Sequence, residues 1–127
     1  MIPYSRQVIT TEDKKRVKKV LNSNFLTQGE LLNNFEKKLA ATVNSRFATG
    51  FNSATSALHI SCLALGIKKG DTVWTCTNSF VASANCALYC GAKVDLIDID
   101  YKNFNINILD LEKKLRISQR KNKLPKV

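Results

Sequence analysis

Apolar residues recur at helical spacing in the first 45 residues of the chain. Thr10 and Asp13 have the spacing of a capping box, and the apolar stripe that follows them predicts a helix that ends near residue 22. A second helix is predicted over residues 30–43, because apolar side chains return there every three or four residues. These side chains are Leu31, Leu32, Phe35, Leu39 and Val43. The pattern therefore predicts an N-terminal helical arm over residues 1–45.

Strand and helix patterns alternate from residue 46 onward. The predicted strands are residues 46–51, 72–76 and 93–99. The predicted helices are residues 54–65, residues 80–90 and a segment capped by Asn107. This alternation favours an α/β class with a mostly parallel sheet covered by helices, in a domain that spans residues 46–127. Ligands of such sheets usually bind beyond the carboxyl ends of the strands.

The net charge of +10 at pH 7 is concentrated near the two ends of the chain. Residues 116–126 are polar and basic, which is typical of a disordered tail, whereas residues 124–127 resemble the entrance to another strand. A small nucleic-acid-binding protein is one alternative for so basic a chain. The basic residues are not interleaved with aromatic residues and form no recognisable binding module, so we expect no nucleic-acid partner.

The sequence contains no stretch long and apolar enough to cross a bilayer, and its first residues lack the order of a signal peptide. We therefore expect a cytoplasmic protein without a membrane partner. No zinc site is expected, because the four cysteines show no CxxC spacing and the sequence contains a single histidine, His59. The cysteines are Cys62, Cys76, Cys86 and Cys90. Free thiols in a reducing compartment explain these cysteines better.

Two segments at predicted helix starts carry candidate chemistry. Ser53 can cap a helix whose next residues, Ala54 and Thr55, are small enough to let an anion approach the free backbone amides. An ordinary capped, buried helix would show the same pattern. Phe80 follows a polar turn and could stack on a planar ring, although it could equally anchor its helix to the core. The residue pattern alone leaves both alternatives open.

Seven short stretches, in this order, resemble the sugar aminotransferases of the DegT/DnrJ/EryC1/StrS family. The resemblance covers the whole chain. The stretches are residues 4–7 (YSRQ), 26–29 (LTQG), 35–36 (FE), 52–58 (NSATSAL), 80–85 (FVASAN), 98–100 (DID) and 124–127 (LPKV). The resemblance implies the large domain of a fold-type I transferase that uses pyridoxal 5′-phosphate and assembles as a homodimer. It also implies transfer of an amino group from L-glutamate to the 4-keto carbon of a UDP-linked 6-deoxy amino sugar, as in pseudaminic acid biosynthesis.

The resemblance also implies roles for individual residues. Ala54 and Thr55 match the positions that bind the cofactor phosphate, and Phe80 matches the aromatic residue that stacks on the pyridine ring. The segment from Thr27 through Gln28 to Gly29 matches a loop near the sugar site, and Tyr4 is expected to approach the substrate.

The family's Schiff-base lysine and its aspartate for the pyridine nitrogen are expected beyond Val127. No lysine of this sequence matches that role, so we expect an N-terminal part of an aminotransferase that is inactive alone. An incomplete sheet would leave strand edges and apolar faces uncovered, which predicts poor solubility. The alternative is a non-catalytic remnant or interaction module that pairs with a full-length partner.

Overall fold

The computed structural model describes residues 2–127 of the chain. These residues contain five helices and two strands. The first compact unit ends at Gly50 and contains the first two helices, and the second unit spans Phe51–Val127. The elements in chain order are α1 (Thr11–Leu21), α2 (Glu30–Thr42), α3 (Ala54–Ala64), β1 (Thr72–Cys76), α4 (Ala82–Tyr89), β2 (Lys93–Ile97) and α5 (Ile108–Arg120). The predicted α/β class is confirmed.

The capping box predicted at the start of α1 is present. The backbone amide of Asp13 donates to the Thr10 hydroxyl at 3.2 Å, and the backbone amide of Thr10 donates to the Asp13 carboxylate at 2.7 Å. These hydrogen bonds favour the charged carboxylate, so the pKa of Asp13 is lowered, first by the Thr10 backbone amide and then by its hydroxyl. The box satisfies amides that a helix start would otherwise leave without a partner.

The strand predicted at residues 46–51 is wrong, because these residues have no regular secondary structure. A strand exists only when a neighbouring segment accepts its backbone hydrogen bonds. Here the Gly50 amide donates instead to the Glu36 carboxylate at 2.7 Å, and the Ser45 hydroxyl donates to the Phe47 carbonyl at 2.8 Å. Side chains of the same unit therefore occupy backbone groups that a strand ladder would need.

The second unit is built on a two-stranded parallel sheet. Thr72 of β1 lies opposite Lys93 of β2, and the register continues to Cys76 opposite Ile97. α4 makes the crossover between the strands and packs against α3 and the sheet. Small side chains allow this close approach, and Ala87 of α4 is fully buried. The shared core consists of Cys62, Ile67, Val73, Cys86, Ala87 and Ala92.

The sheet ends two residues earlier than the predicted strand 93–99. β2 stops at Ile97, and Ile99 forms an isolated antiparallel bridge with Ile106. The bridge closes a loop in which the Asp100 amide donates to the Asn105 carbonyl at 2.8 Å. The end of β2 therefore turns into a folded loop.

Residues after Asn107 are more ordered than the basic composition of the tail predicts. α5 extends to Arg120, so the expected disorder is wrong for residues 116–120. The Asn107 side chain caps the helix, and Arg116 donates to Glu112 one turn earlier at 2.6 Å. Beyond the helix, the Lys126 amide donates to the Thr72 carbonyl at 2.8 Å and the Trp74 amide donates to the Val127 carbonyl at 3.0 Å. The last residues thus lie along the edge of β1 that faces away from β2.

Candidate functional site

The first turn of α3 presents free backbone amides and contains no acidic side chain. Ser53 is extended and its hydroxyl accepts a hydrogen bond from the Ser56 amide at 3.1 Å. The first intrahelical bond runs from the Ala57 amide to the Ser53 carbonyl at 3.1 Å, so the amides of Ala54 and Thr55 precede the helix ladder. No acidic residue occupies this turn or the first turn of α4, whereas α1 carries two there and α2 and α5 carry one each. The partial positive charge of this helix end is therefore not neutralised by the helix's own side chains.

Phe80 lies in the short turn between β1 and α4, and 74% of it is exposed. Phe80 therefore does not anchor its helix to the core formed by the described residues. The turn is fixed on its helix side, since the Ser83 amide donates to the Phe80 carbonyl at 2.9 Å and the hydroxyls of Ser79 and Ser83 are 2.8 Å apart. An apolar ring is thus presented to solvent from an ordered backbone, as stacking on a planar ligand requires.

Sequence reasoning missed two polar residues, Thr77 and Asn78, that connect the Phe80 turn to the segment after β2. The Thr77 hydroxyl donates to an Asp98 carboxylate oxygen at 3.3 Å, and the Asn78 side chain donates to the Phe104 carbonyl at 3.5 Å. Thr77 and Asp98 directly follow β1 and β2, respectively. The available signal was a polar residue immediately after each of two successive strands, where parallel sheets usually present their ligand-binding side chains.

The residues expected near a sugar lie in the first unit. Gln28 has a left-handed backbone with φ of +54°, and Gly29 is the N-cap of α2. Both line an open cleft of about 1140 Å³ between α1 and α2, together with Arg16 and Lys19. Tyr4 and Thr27 are exposed and do not line this cleft. The structure therefore brings two of the four predicted substrate residues to one cleft.

Cys62 is buried at the contact between α3 and α4, close to Cys86 and Cys90. Burial, followed by the hydrogen bonds with the neighbouring thiols, raises the pKa of Cys62 to about 11. The thiol is therefore protonated at neutral pH and a poor nucleophile. All four cysteines are free, and residues 2–127 contain no group of three side chains able to hold a metal ion.

The helices of the described part of the chain are all too short or too polar to span a membrane.

The acid-free start of α3 suits a phosphate, and the exposed ring of Phe80 suits a planar group. Both belong to the Phe51–Val127 unit. Backbone amides at a helix start bind phosphate, and the side chains at Ala54 and Thr55 are small enough to leave them accessible. The aromatic ring offers a face for a heterocycle.

Curated proteins with similar sequences act on nucleotide sugars, according to their names. The chain is 43% identical over 115 residues to UDP-4-amino-4,6-dideoxy-N-acetyl-β-L-altrosamine transaminase of Campylobacter jejuni subsp. jejuni serotype O:23/36, which covers 91% of this chain and 30% of that protein. It is 33% identical over 115 residues to GDP-perosamine synthase of Escherichia coli O157:H7, covering 90% and 32% of the two chains. The chain thus spans less than a third of the length of these relatives.

The fold of this chain is similar to that of a solved sugar aminotransferase structure. The match is to a protein of Streptococcus pneumoniae assigned as a sugar aminotransferase, with a TM-score of 0.84 and 28% identity over 88% of this chain and 29% of the other. That protein was solved in its pyridoxal phosphate, pyridoxamine phosphate and apo forms. Residues 7–121 match the model of the DegT/DnrJ/EryC1/StrS aminotransferase family, so the family predicted from the sequence is confirmed. This chain belongs to the DegT/DnrJ/EryC1/StrS aminotransferase family.

Proposed function

We propose that this chain forms part of a nucleotide-sugar aminotransferase and contributes one side of its pyridoxal 5′-phosphate site. The observation that carries the proposal is the presence, in one folded unit of a family member, of an acid-free helix start at Ala54 and Thr55 and an exposed aromatic ring at Phe80. The relatives solved with pyridoxal phosphate and pyridoxamine phosphate support the choice of cofactor.

Each of these residues has a distinct role in the proposal. The amides of Ala54 and Thr55 hold the phosphate with the help of the helix dipole, and the Thr55 hydroxyl is available as a further donor. Phe80 covers one face of the pyridine ring and keeps water from it. When bound, the cofactor supplies the electron sink that amino transfer requires. The protein residues thus bind and orient the group on which the chemistry depends.

The proposed substrates are L-glutamate as amino donor and a UDP-linked 4-keto-6-deoxy amino sugar as acceptor, in a pathway that leads to pseudaminic acid. The name of the C. jejuni relative, which specifies a UDP-linked sugar, supports this choice. We assign the sugar contact to the loop at Thr27, Gln28 and Gly29 and to Tyr4. The cleft beside this loop is lined by Arg16 and Lys19 but also by Glu12 and Glu30, and Arg16 pairs with Glu12, so the assignment rests on the resemblance of the loop and not on charge.

We further propose that the whole enzyme works as a homodimer in the cytoplasm. Exposed apolar side chains on α2 are consistent with burial against another surface, and four free cysteines are typical of a reducing compartment. We assign no lysine of this chain to the bond with the cofactor, because the candidates at turns and strand starts are exposed. These are Lys68, Lys69 and Lys93. The 127-residue chain is therefore expected to bind the cofactor without catalysing amino transfer.

A binding titration tests the proposal directly. Trp74 is the single tryptophan of the chain, and its fluorescence should fall as pyridoxal 5′-phosphate binds and absorbs the emitted light. Pyridoxal, which lacks the phosphate, should bind much more weakly. Ala54→Asp places a negative charge at the proposed phosphate site and should reduce the affinity at least about tenfold. An acid in the first turn favours the helix, so unfolding would not explain this loss.

A matched control places the same charge at the other end of the same helix. Ser61 is exposed in the last turn of α3, so Ser61→Asp should leave cofactor affinity close to that of the unaltered chain. Equal losses in Ala54→Asp and Ser61→Asp, or equal affinities for pyridoxal and its phosphate, would contradict the proposed phosphate site. Amino transfer from glutamate by the purified 127-residue chain would contradict its proposed inactivity.

A further inference from the structure

Thr77 is attached to the end of β2 by two hydrogen bonds. Its backbone amide donates to the Ile97 carbonyl at 3.0 Å, which continues the parallel ladder by one residue. Its hydroxyl donates to the Asp98 carboxylate at 3.3 Å. The same carboxylate oxygen accepts the Ile99 amide at 2.8 Å, so the Asp98 side chain is itself held in place. The first residue of the Phe80 turn is therefore fixed to the neighbouring strand.

Asp98 also holds the segment that follows it. Its backbone carbonyl accepts a hydrogen bond from the Asn107 amide at 2.8 Å, and Asn107 caps α5. One residue thus connects the turn before Phe80, the loop after β2 and the start of α5. Because Asp98 accepts hydrogen bonds from all of these segments, it restrains their positions relative to one another. A residue that bonds only within one segment cannot do this.

The exposure of Phe80 explains why such a restraint matters. A ring that is 74% exposed has little packing of its own, so its location depends on the backbone that carries it. Binding to a mobile ring would cost conformational entropy, whereas a fixed ring is preorganised for stacking. The backbone at the helix side is held by Ser79 and Ser83, and at the strand side by Thr77.

We propose that Asp98 is a positioning residue that acts through the Thr77 hydroxyl to hold residues 77–80, and thereby Phe80, in the place where the ring covers the cofactor. This role rests on the proposed function, because it presumes that Phe80 meets a planar ligand. Asp98 is assigned no contact with the cofactor or the substrate.

The first test measures the backbone in the absence of any ligand. Asp98→Ala should speed amide hydrogen exchange in residues 77–81 severalfold, because the acceptor for Thr77 is lost. Asp98→Asn keeps a side-chain oxygen that can accept the same bonds and should restore most of the protection. Asp95→Ala is the matched control, since Asp95 lies three residues earlier, within β2, and pairs with Lys114 of α5. It should leave exchange in residues 77–81 unchanged.

The second test separates the ring from the phosphate. Asp98→Ala should weaken binding of pyridoxal 5′-phosphate by about fivefold, the effect of one lost hydrogen bond, and should leave the affinity for inorganic phosphate unchanged. Thr77→Val removes the other partner and should have the same effect. The double variant should be no worse than either single one, because both changes break one contact. Thr77→Val also carries the test if Asp98→Ala does not fold.

The outcomes distinguish the two proposals. Unchanged exchange in residues 77–81 of Asp98→Ala overturns the positioning role, whatever the cofactor does. An equal loss of phosphate and cofactor binding also overturns it, because the effect would then extend to the whole unit. Failure of the unaltered chain to bind pyridoxal 5′-phosphate at all would instead overturn the proposed function, and with it the purpose assigned to Asp98.

Discussion

The ammonium group of Lys114 lies 2.7 Å from a carboxylate oxygen of Asp95, which joins α5 to β2. The same ammonium donates to the Leu96 carbonyl at 2.8 Å and lies 5.1 Å from the centre of the Trp74 ring on β1. One half-buried cation thus contacts both strands of the sheet. An isolated surface ion pair contributes little, but this one combines three attractive contacts at a single group.

Lys114→Met should lower the free energy of unfolding by about 1–2 kcal/mol, because methionine keeps the apolar stem and removes all three contacts. Urea unfolding followed by circular dichroism measures the change. The neighbouring Lys113 is exposed, so Lys113→Met should alter stability by less than about 0.5 kcal/mol. Indistinguishable midpoints for the two variants would show that the contacts of Lys114 do not stabilise the fold.

Asp95 predicts a specific dependence of stability on pH. The pKa of its carboxyl is lowered, chiefly by the hydrogen bond from Lys114. A lowered folded-state pKa gives stability that is present above the unfolded value, about 3.9, and lost as the pH falls through the folded value. Partial exposure limits this contribution to about 1 kcal/mol or less. Unfolding should be measured from about pH 5 down to about pH 2, which spans this loss, and the stability of Asp95→Asn should fall less over that range.

Cys62 predicts the opposite dependence at alkaline pH. Its pKa is raised from 9.0 to about 11, so folding favours the neutral thiol. The corresponding stability is fully present below the unfolded value and is lost as the pH rises through the folded value. The free energy of unfolding should therefore fall between pH 9 and pH 11, and Cys62→Ala should reduce that slope. A slope unchanged in this variant would assign the alkaline loss to other groups.

Gly91 has a backbone conformation that other residues adopt at a cost. Its φ is +73°, and an added Cβ would meet Lys69 at 3.7 Å or more, which is ordinary contact. Gly91→Ala should therefore destabilise by about 1 kcal/mol through backbone strain alone. Asparagine tolerates the left-handed region better, so Gly91→Asn should cost less. Thermal unfolding of the two variants measures the difference. If both variants lose the same stability, steric crowding and not backbone strain would explain the loss.

The apolar face of α2 predicts self-association. The four predicted apolar side chains of α2 and Val43 at its C-cap are all exposed, and Phe35 is 55% exposed. Phe35→Gln should reduce association and binding of a hydrophobic dye, because it interrupts this face while keeping a good helix former. Sedimentation velocity at several concentrations measures the association. Asn34→Gln on an already polar position is the control, and equal association of both variants would exclude this face as the contact.

Local signals explain which parts of the fold the sequence predicts. The capping box at Thr10 and the glycines after α3 and α4 act within a few residues, so their structure follows from their identity. The segment 46–51 has strand-like composition, but Glu36, which is distant in sequence, bonds to its backbone instead. Pairing between distant segments decides strands, and composition does not record it.

The candidate site likewise combines features that local sequence predicts with features that it does not. The cap of α3 at Ser53 was predicted from its residues, and the structure contains it. The exposure of Phe80 could not be predicted, since an aromatic after a strand suits a core as well as a ligand site. A polar residue after each strand marks Thr77 and Asp98, but these residues are 21 positions apart, so the sequence does not indicate that they bond to each other.

The hydrogen bonds that residues 126 and 127 make to β1 also affect how copies of this chain can meet. A bare strand edge is a template for pairing with another molecule and for growth of fibrous aggregates. Because the tail lies along one side of β1, the side of the sheet left for such pairing is the outer edge of β2. That edge strand carries Lys93 and Asp95, both exposed, and charged residues on an edge oppose intermolecular strand addition. The end of the chain therefore blocks strand addition at the edge of β1, and charged side chains oppose it at the edge of β2.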